Sequence, residues 1–436
     1  MSERNRELAN LFVVGMLTAL GFASVYIARQ SEVSSGSLSY AGFFFALYLV
    51  AHFVARFAVP NADPYLLPMA ALLTAIGVTE IYRLNPDNAF KQGLWIVIGV
   101  GVFAATLLLL RLDYRVLESY KYLFGLGAIF LLVLPALPVL GTTVNGARLW
   151  VRAGPLQFQP GELAKLALIV FLAGYLREKR EVIAQGRLKD LGPLLVIWGG
   201  ALLVLVETND LGSGLLYFGV FLAMLYVATA RFTYVIAGLV LFVVGSAGVY
   251  KISAHVRERV TIWRQPWTDH PVYCSLTGGK ALRQDCQSYQ LVKSLYSVAH
   301  GQFGGTGLGK GTFTTTDGHS LIPFINTDFI YSALAQELGL IGAAALLLVY
   351  MLFVARGFRI ALLTDDGFSK LLAVGLTFAF ALQTFIIVGG ILRIIPLTGI
   401  TLPFVSYGGS SVVANFILLA GLMLLSNRAN TERGER

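Results

Sequence analysis

Apolar runs of roughly 18–25 residues recur along this chain, each long enough to cross a hydrocarbon layer of about 30 Å. Inside lipid the backbone has no water to bond with, so such runs must be helices. A membrane barrel would show short alternating strands instead. Composition points the same way: 56% of residues are hydrophobic and 13% are charged. A soluble domain of 436 residues needs more charge on its surface. The fold class read from this is all-α integral membrane, a polytopic bundle of about twelve transmembrane helices with one large extracytoplasmic loop. Spans are expected near 9–28, 41–59, 65–83, 92–110, 121–140, 161–177, 191–207, 211–228, 233–250, 328–354, 368–390 and 406–426. The stretch 328–354 is over-long for a single upright helix.

The run at 9–28 exceeds the apolar part of a signal peptide and is read as a retained first helix. The net charge is +9. The basic residues sit in short loops, so topology and anionic lipid account for the charge, and no nucleic-acid partner is expected. Arg177, Lys179, Arg180, Arg187 and Lys189 mark one cytoplasmic loop. Arg356, Arg359 and Lys370 mark another, and Arg428, Arg433 and Arg436 mark the tail. Arg4 and Arg6 fall on the same side. The expected topology has both termini cytoplasmic, which puts 141–160 and the long loop 251–327 outside. Both cysteines, Cys274 and Cys286, lie in that loop. An oxidising outer face makes a disulfide between them plausible, with two free thiols as the alternative. A bridge closing a ring of roughly 13 residues would restrict the open loop by about 3 kcal/mol.

Polar residues at span boundaries are the functional candidates, because charge in lipid is costly. Trp150 suits the membrane interface and Arg148 could face phosphate. Glu162 and Lys165 share a helix face and form a pair that is either structural or a support to catalysis. Asp210 could cap the helix that follows it. The run Gly304–Gly311 lacks the spacing of a phosphate-binding loop; its glycines suit tight turns or close approach to a ligand. Asn326 or Thr327 could cap a helix beginning there, with Asp328 in its first turn, where a positive helix end favours the ionised form. On spacing alone Asp328 is equally a capping acid or a general base. Glu337 lies about half a turn around the helix from it, which argues against one acid dyad. Prolines and glycines between Pro396 and Ser411, including Ser406 and Gly408, break the helix pattern and suggest the lining of a cavity.

Together these segments resemble the RodA/FtsW/SpoVE (SEDS) family. The carrying strings are NGARLW, FQPGELAK, DLGSG, SYQLVKSL, GTGLGKG, NTDFIYSALAQELGLIG and IPLTGITLPFVSYGGSS, in family order over about residues 65–426. The resemblance divides the chain into an added helix pair at 1–64, a family core at 65–426 and a tail at 427–436. The added pair is similar to RodA-like members of actinobacterial type. The resemblance implies a peptidoglycan glycosyltransferase of the bacterial cytoplasmic membrane. Such an enzyme polymerises lipid II, an undecaprenyl-pyrophosphate disaccharide-pentapeptide, into glycan strands on the outer face. Elongation and cell shape stand ahead of division as its role. A class B penicillin-binding protein, a transpeptidase, is the implied partner beside membrane lipid.

The resemblance also makes Asp328 the essential acid, and Trp150, Glu162 and Lys165 needed residues. On this reading Asp328 takes the proton of the acceptor hydroxyl. Lys165 and Arg148 neutralise the leaving diphosphate, directly or with a divalent metal such as Mg or Mn, and Ser406 and Gly408 are substrate-binding candidates. A lipid II flippase and a non-catalytic scaffold are the rival classes. The chain departs from the family pattern at Gly161, at Glu207–Asp210, at Gln336 in place of the first of two Glu, at Ile387, and in the stretch holding the two cysteines.

Overall fold

The computed structural model describes residues 2–30, 35–137, 140–144, 147–153, 156–185, 192–208, 210–274, 278–314 and 320–434. Asn145, Gly146, Arg187, Lys189, Asn209 and Arg436 of the sequence reading lie outside the described residues.

The chain runs α1 (Glu3–Gln30), α2 (Ser35–Ala58), α3 (Leu66–Leu84), α4 (Pro86–Leu110), a short α5 (Val116–Ser119) and α6 (Lys121–Val133). It continues through α7 (Pro160–Ala184), α8 (Gly192–Glu207), α9 (Leu211–Thr229) and α10 (Phe232–Ile252). Two helices of the long loop, α11 (Ala254–Arg264) and α12 (Tyr289–His300), precede α13 (Ile330–Leu363), α14 (Gly367–Ile391) and α15 (Gly409–Gly434). Among the described residues nine helices are long and apolar enough to span a membrane: α1–α4, α9, α10 and α13–α15. Two shorter apolar helices, Lys121–Ala136 and Gly192–Glu207, and the 25-residue α7 complete the expected twelve. The protein is a multi-pass membrane protein.

Local chemistry sets several of these boundaries. Asn85 caps α4 by accepting the Asn88 N–H at 3.1 Å, and Pro86 takes the first helical position, where no N–H is needed. Asp366 caps α14 through the Ser369 N–H at 3.0 Å. Burial then sorts the bundle. The apolar windows of α15 and α14 are 89% and 78% buried, whereas that of α10 is 6% buried. The outward faces of α10 carry Ile236, Leu239, Val240, Val243 and Val244, all exposed. Apolar surface this extensive needs lipid against it. At the centre Phe353 and Phe380 stack at 4.3 Å, and Phe404 meets Phe416 edge-on at 5.5 Å.

The cationic residues predicted to share a side do gather at one end of the bundle. There Arg356 pairs with Asp63 at 3.2 Å, Arg177 with Glu118 at 2.5 Å, and Arg4 donates to the Ala62 carbonyl. The N-terminal helix pair is fastened at this end by Arg4, Glu7 and His52, with His52 Nδ1 2.7 Å from Glu7 Oε1. At its other end Phe22 of α1 packs on Tyr40 and Phe44 of α2 and on Tyr82 of α3.

The structure corrects the sequence reading in two places. The bundle is helical, yet the connection near 141–158 is a small antiparallel sheet of β1 (Gly141–Val144), β2 (Ala147–Ala153) and β3 (Leu156–Phe158), with Thr142 opposite Trp150 and Val151 opposite Phe158. A hairpin of β4 (Val272–Cys274) and β5 (Gly279–Ala281) lies in the long loop. The strands are too short to show a period in sequence. The over-long span is also explained. Helix α13 is interrupted at Gly339, whose φ of 69° is left-handed. The glycine-rich loop fills the interruption. Leu340 N–H donates to Gln302 O at 2.8 Å, Thr306 N–H to Gln336 O at 2.9 Å and Gly307 N–H to Glu337 O at 3.0 Å. A break in a membrane helix is tolerated when other backbone answers the freed groups, as it does here.

Candidate functional site

The end of the bundle opposite the cationic cluster carries the residues singled out from sequence. Asp328 does not sit in the first turn of α13. The helix starts two residues later, and its N-terminus receives no side-chain cap, so neither Asn326 nor Thr327 nor Asp328 caps it. The capping alternative for Asp328 falls. Thr327 Oγ1 instead donates to Phe324 O at 2.9 Å.

Asp328 is half-buried, with protein packed closely around its carboxyl group. Burial pushes its carboxyl up to about 6, while the Arg259 guanidinium and the Thr327 hydroxyl pull it down. Desolvation therefore sets its state, in place of the helix end expected from sequence. A carboxylate poised near 6 is ionised at neutral pH and still basic enough to accept a proton.

Arg259 comes from α11 in the long loop. It is itself held below its ordinary value by burial, with Asp328, Asp210 and Glu258 raising it. Its Nη1 donates to Leu397 O at 2.7 Å, and its Nε lies 3.0 Å from His255 Nε2. Asp210 approaches Arg259 from a second element. It caps α9 by accepting the Ser213 N–H at 3.0 Å, as the sequence suggested. Burial pushes its carboxyl up, Ser213 and Arg259 pull it down, and Glu162 adds to the rise.

The pair on α7 forms as expected. Lys165 Nζ lies 2.8 Å from Glu162 Oε2, and also donates to Gln383 Oε1 of α14 at 2.7 Å. Lys165 is 3% exposed, so in this state its charge is directed at two partners inside the protein. Gln383 in turn donates to Thr401 O at 3.0 Å.

One stretch, 397–401, joins these groups. Leu397 O receives Arg259. A Cβ added at Gly399 would lie 3.5 Å from Asp328 Oδ2, so the carboxylate rests against that glycine. Gly399 has φ 76°, where a side chain is strained. Thr401 O holds Gln383. The Thr398 hydroxyl is buried and has no partner among the described residues.

The remaining candidates take supporting positions. Ser406, 2% exposed, donates to Thr327 O at 2.6 Å and accepts the Leu402 N–H at 2.9 Å. Gly408 N–H donates to Gln92 Oε1 of α4 at 3.2 Å. Ser406 thereby knits the broken segment 402–408 to the residue beside Asp328, and Gly408 ties the same segment to α4. Trp150 and Arg148 sit on β2. Arg148 Nη2 turns back to Leu137 O at 3.2 Å, and its Nε is buried with no partner among the described residues. Among the described residues, neither side chain hydrogen-bonds to Lys165 or Asp328. Cys274 and Cys286 are joined in a disulfide with a Cα separation of 6.0 Å, which ties the β4–β5 hairpin to the turn before α12. Among the described residues no set of three His, Cys, Asp or Glu side chains converges as metal ligands.

Comparison with known proteins places this geometry. The FtsW/RodA/SpoVE model, described as a cell cycle protein, matches residues 61–432. The chain belongs to the FtsW/RodA/SpoVE family. It is 39% identical to the peptidoglycan glycosyltransferase RodA of Mycobacterium tuberculosis, covering 98% of this chain and 91% of that one. It is 32% identical to the stage V sporulation protein E of Bacillus subtilis over 84% of this chain and 97% of that one. A chain from a solved peptidoglycan synthase complex that coordinates polymerization and crosslinking superposes with a TM-score of 0.68 at 28% identity, covering 84% of this chain and 98% of its own length. The crystal structure of Thermus thermophilus RodA superposes with a TM-score of 0.59 at 25% identity, covering 84% of this chain and 97% of its own length.

Within this FtsW/RodA/SpoVE protein, Arg259 and Gln383 were not among the residues read from sequence, whereas the stretch 397–401 falls inside the Pro396–Ser411 segment already read as a cavity lining. Arg259 had a signal, being one of three arginines on an amphipathic helix in a loop already suspected of function. Gln383 had none, because a single amide in an apolar span reads as a packed core residue.

Proposed function

We propose that this chain is a peptidoglycan glycosyltransferase of the RodA type. It polymerises lipid II on the outer face of the bacterial cytoplasmic membrane, with both termini cytoplasmic and a class B penicillin-binding protein as partner. The observation that supports the site assignment is the stretch 397–401, which meets Arg259, Asp328 and Gln383, the last being the partner of Lys165.

Asp328 accepts the proton of the acceptor sugar hydroxyl as that oxygen attacks the donor anomeric carbon. The bond to the diphosphate breaks and the electron pair leaves with the phosphate oxygen. Asp328 suits this role because burial keeps it basic and its partial exposure leaves it within reach of a substrate hydroxyl. Arg259 sits where it can steady the ionised carboxylate. Lys165 leaves Gln383 to meet the diphosphate, its charge balanced by Glu162 until then. Ser406 and Gly408 act by holding the segment beside Asp328. Arg148 and Trp150, on β2, belong to the approach of the diphosphate and its lipid. The relatives' names, the RodA-like N-terminal pair and the peptidoglycan synthase complex among the structural neighbours all support this reading.

The test is lipid II polymerisation by the purified chain in detergent, where a flippase has no sides to connect. Glycan product from the parent and none from Asp328→Asn is the expected result. Equal product from both would overturn the assignment of the base, and no product from the parent with its transpeptidase present would favour a scaffold.

A further inference from the structure

A second acidic group lies where the glycine-rich loop enters the break in α13, and the mechanism above does not use it. Glu337 of α13 is 1% exposed. Its Oε1 lies 2.7 Å from Arg83 Nε and accepts the Gly311 N–H at 3.0 Å. Its Oε2 accepts the Gly309 N–H at 2.7 Å. A carboxylate offers about four acceptor positions; two are filled by hydrogen bonds, Arg83 lies beside Oε1 as an ion-pair partner, and a position on Oε2 is open. Glu80 of α3 faces it, is also 1% exposed, and makes no hydrogen bond from either oxygen among the described residues. The charged groups acting on Glu80 are Glu337 from α13 and Arg83 from its own helix. Lys310 of the loop is exposed. The neighbouring residues of α1, Val25 and Ala28, are apolar.

Two ionised carboxylates against one arginine would leave an uncompensated negative charge in a dry setting, which costs several kcal/mol. An unsatisfied buried carboxylate is equally unfavourable. One proton removes both problems. We propose that Glu80 is a proton-binding site, held as the neutral acid, and that its hydroxyl donates to the open position on Glu337 Oε2.

A metal cation fits this place poorly. Glu337 is already met by two N–H donors and an arginine, and a cation would lie among N–H groups with like polarity. The proton fastens α3 to the unit made by the loop and the broken helix. That unit carries Asp328 nine residues before Glu337 on the same segment. Arg83 completes the fastening by donating to the Gly311 carbonyl while its guanidinium lies over the Phe313 ring at 4.8 Å.

The proposal stands apart from the glycosyltransferase reading, since its readouts need no substrate. Infrared spectra of the purified full-length protein at neutral pH should contain the carbonyl band of a buried carboxylic acid, and Glu80→Gln should lack it. Glu80→Gln imitates the neutral acid, so it should melt with the parent, whereas Glu80→Ala should melt lower. Raising pH should lower the parent's melting temperature through loss of this proton, and the Glu80→Gln protein should lose that part of the dependence. No acid band in the parent, or Glu80→Gln melting as low as Glu80→Ala, would overturn the proposal. Stabilisation by sodium over choline that disappears in Glu80→Gln would also overturn it, in favour of a cation.

Discussion

Asp328 and Glu337 are acids nine positions apart on one chain segment, and their surroundings treat them oppositely. Glu337 is clasped by an arginine and two backbone N–H groups. Asp328 has a charged arginine nearby and stays partly exposed. The clasped carboxylate is committed to structure. The under-solvated one retains the capacity to take a proton. Proximity along the chain therefore says little about role; the number of donors each carboxylate already holds says more.

Substituting the two acids separates them most sharply. Asp328→Asn should reduce lipid II polymerisation on the order of 10²–10⁴-fold, the usual contribution of a positioned base. It should not destabilise the protein. A carboxyl raised from 3.8 to about 6 contributes stability that is present at low pH and lost as pH rises through 6. At neutral pH the asparagine variant should thus melt at or above the parent, and a fall in melting temperature would return Asp328 to a structural role.

Glu337→Ala should do the reverse. Stripping the partner from a half-buried arginine and two N–H groups costs on the order of 3 kcal/mol. Thermal unfolding should shift down and the 301–311 loop should become open to protease; a stable variant with slow turnover would erase the contrast.

Smaller effects sharpen the active half of the comparison. Lys165→Met should lower turnover of lipid II by roughly 10²-fold, the scale for removing one stabilising donor from developing charge. Unchanged turnover would make Lys165 only the partner of Glu162 and Gln383. Arg259→Gln removes the charge that pulls Asp328 down, so the acidic limb of the pH–rate profile should move to higher pH by about one unit. A limb that stays near 6 would detach Arg259 from Asp328.

How much of this was legible in sequence depends on the range of the interaction. The Glu162–Lys165 pair and the Asp210 cap involve residues three apart on one helix, and both appear as read. The break in α13 was visible only as excess length, because the loop that fills it lies more than 30 positions upstream at Gln302 and Phe303. With Gln336 in place of the first of two Glu, α13 carries a single acid at this depth; the second, Glu80, reaches Glu337 from α3 across more than 250 positions.

The sequence by itself determined that the chain crosses a membrane many times, which residues mark the two ends, which family its strings resemble and that Asp328 lies near the start of the helix after the long loop. Those properties follow from hydropathy, local charge and spacing, all of which act within a few turns. Tertiary structure alone decided what each acid does. Whether a carboxylate is clasped, capped or left basic depends on donors brought from distant elements and on the water that packing excludes. Neither quantity exists until the helices have come together.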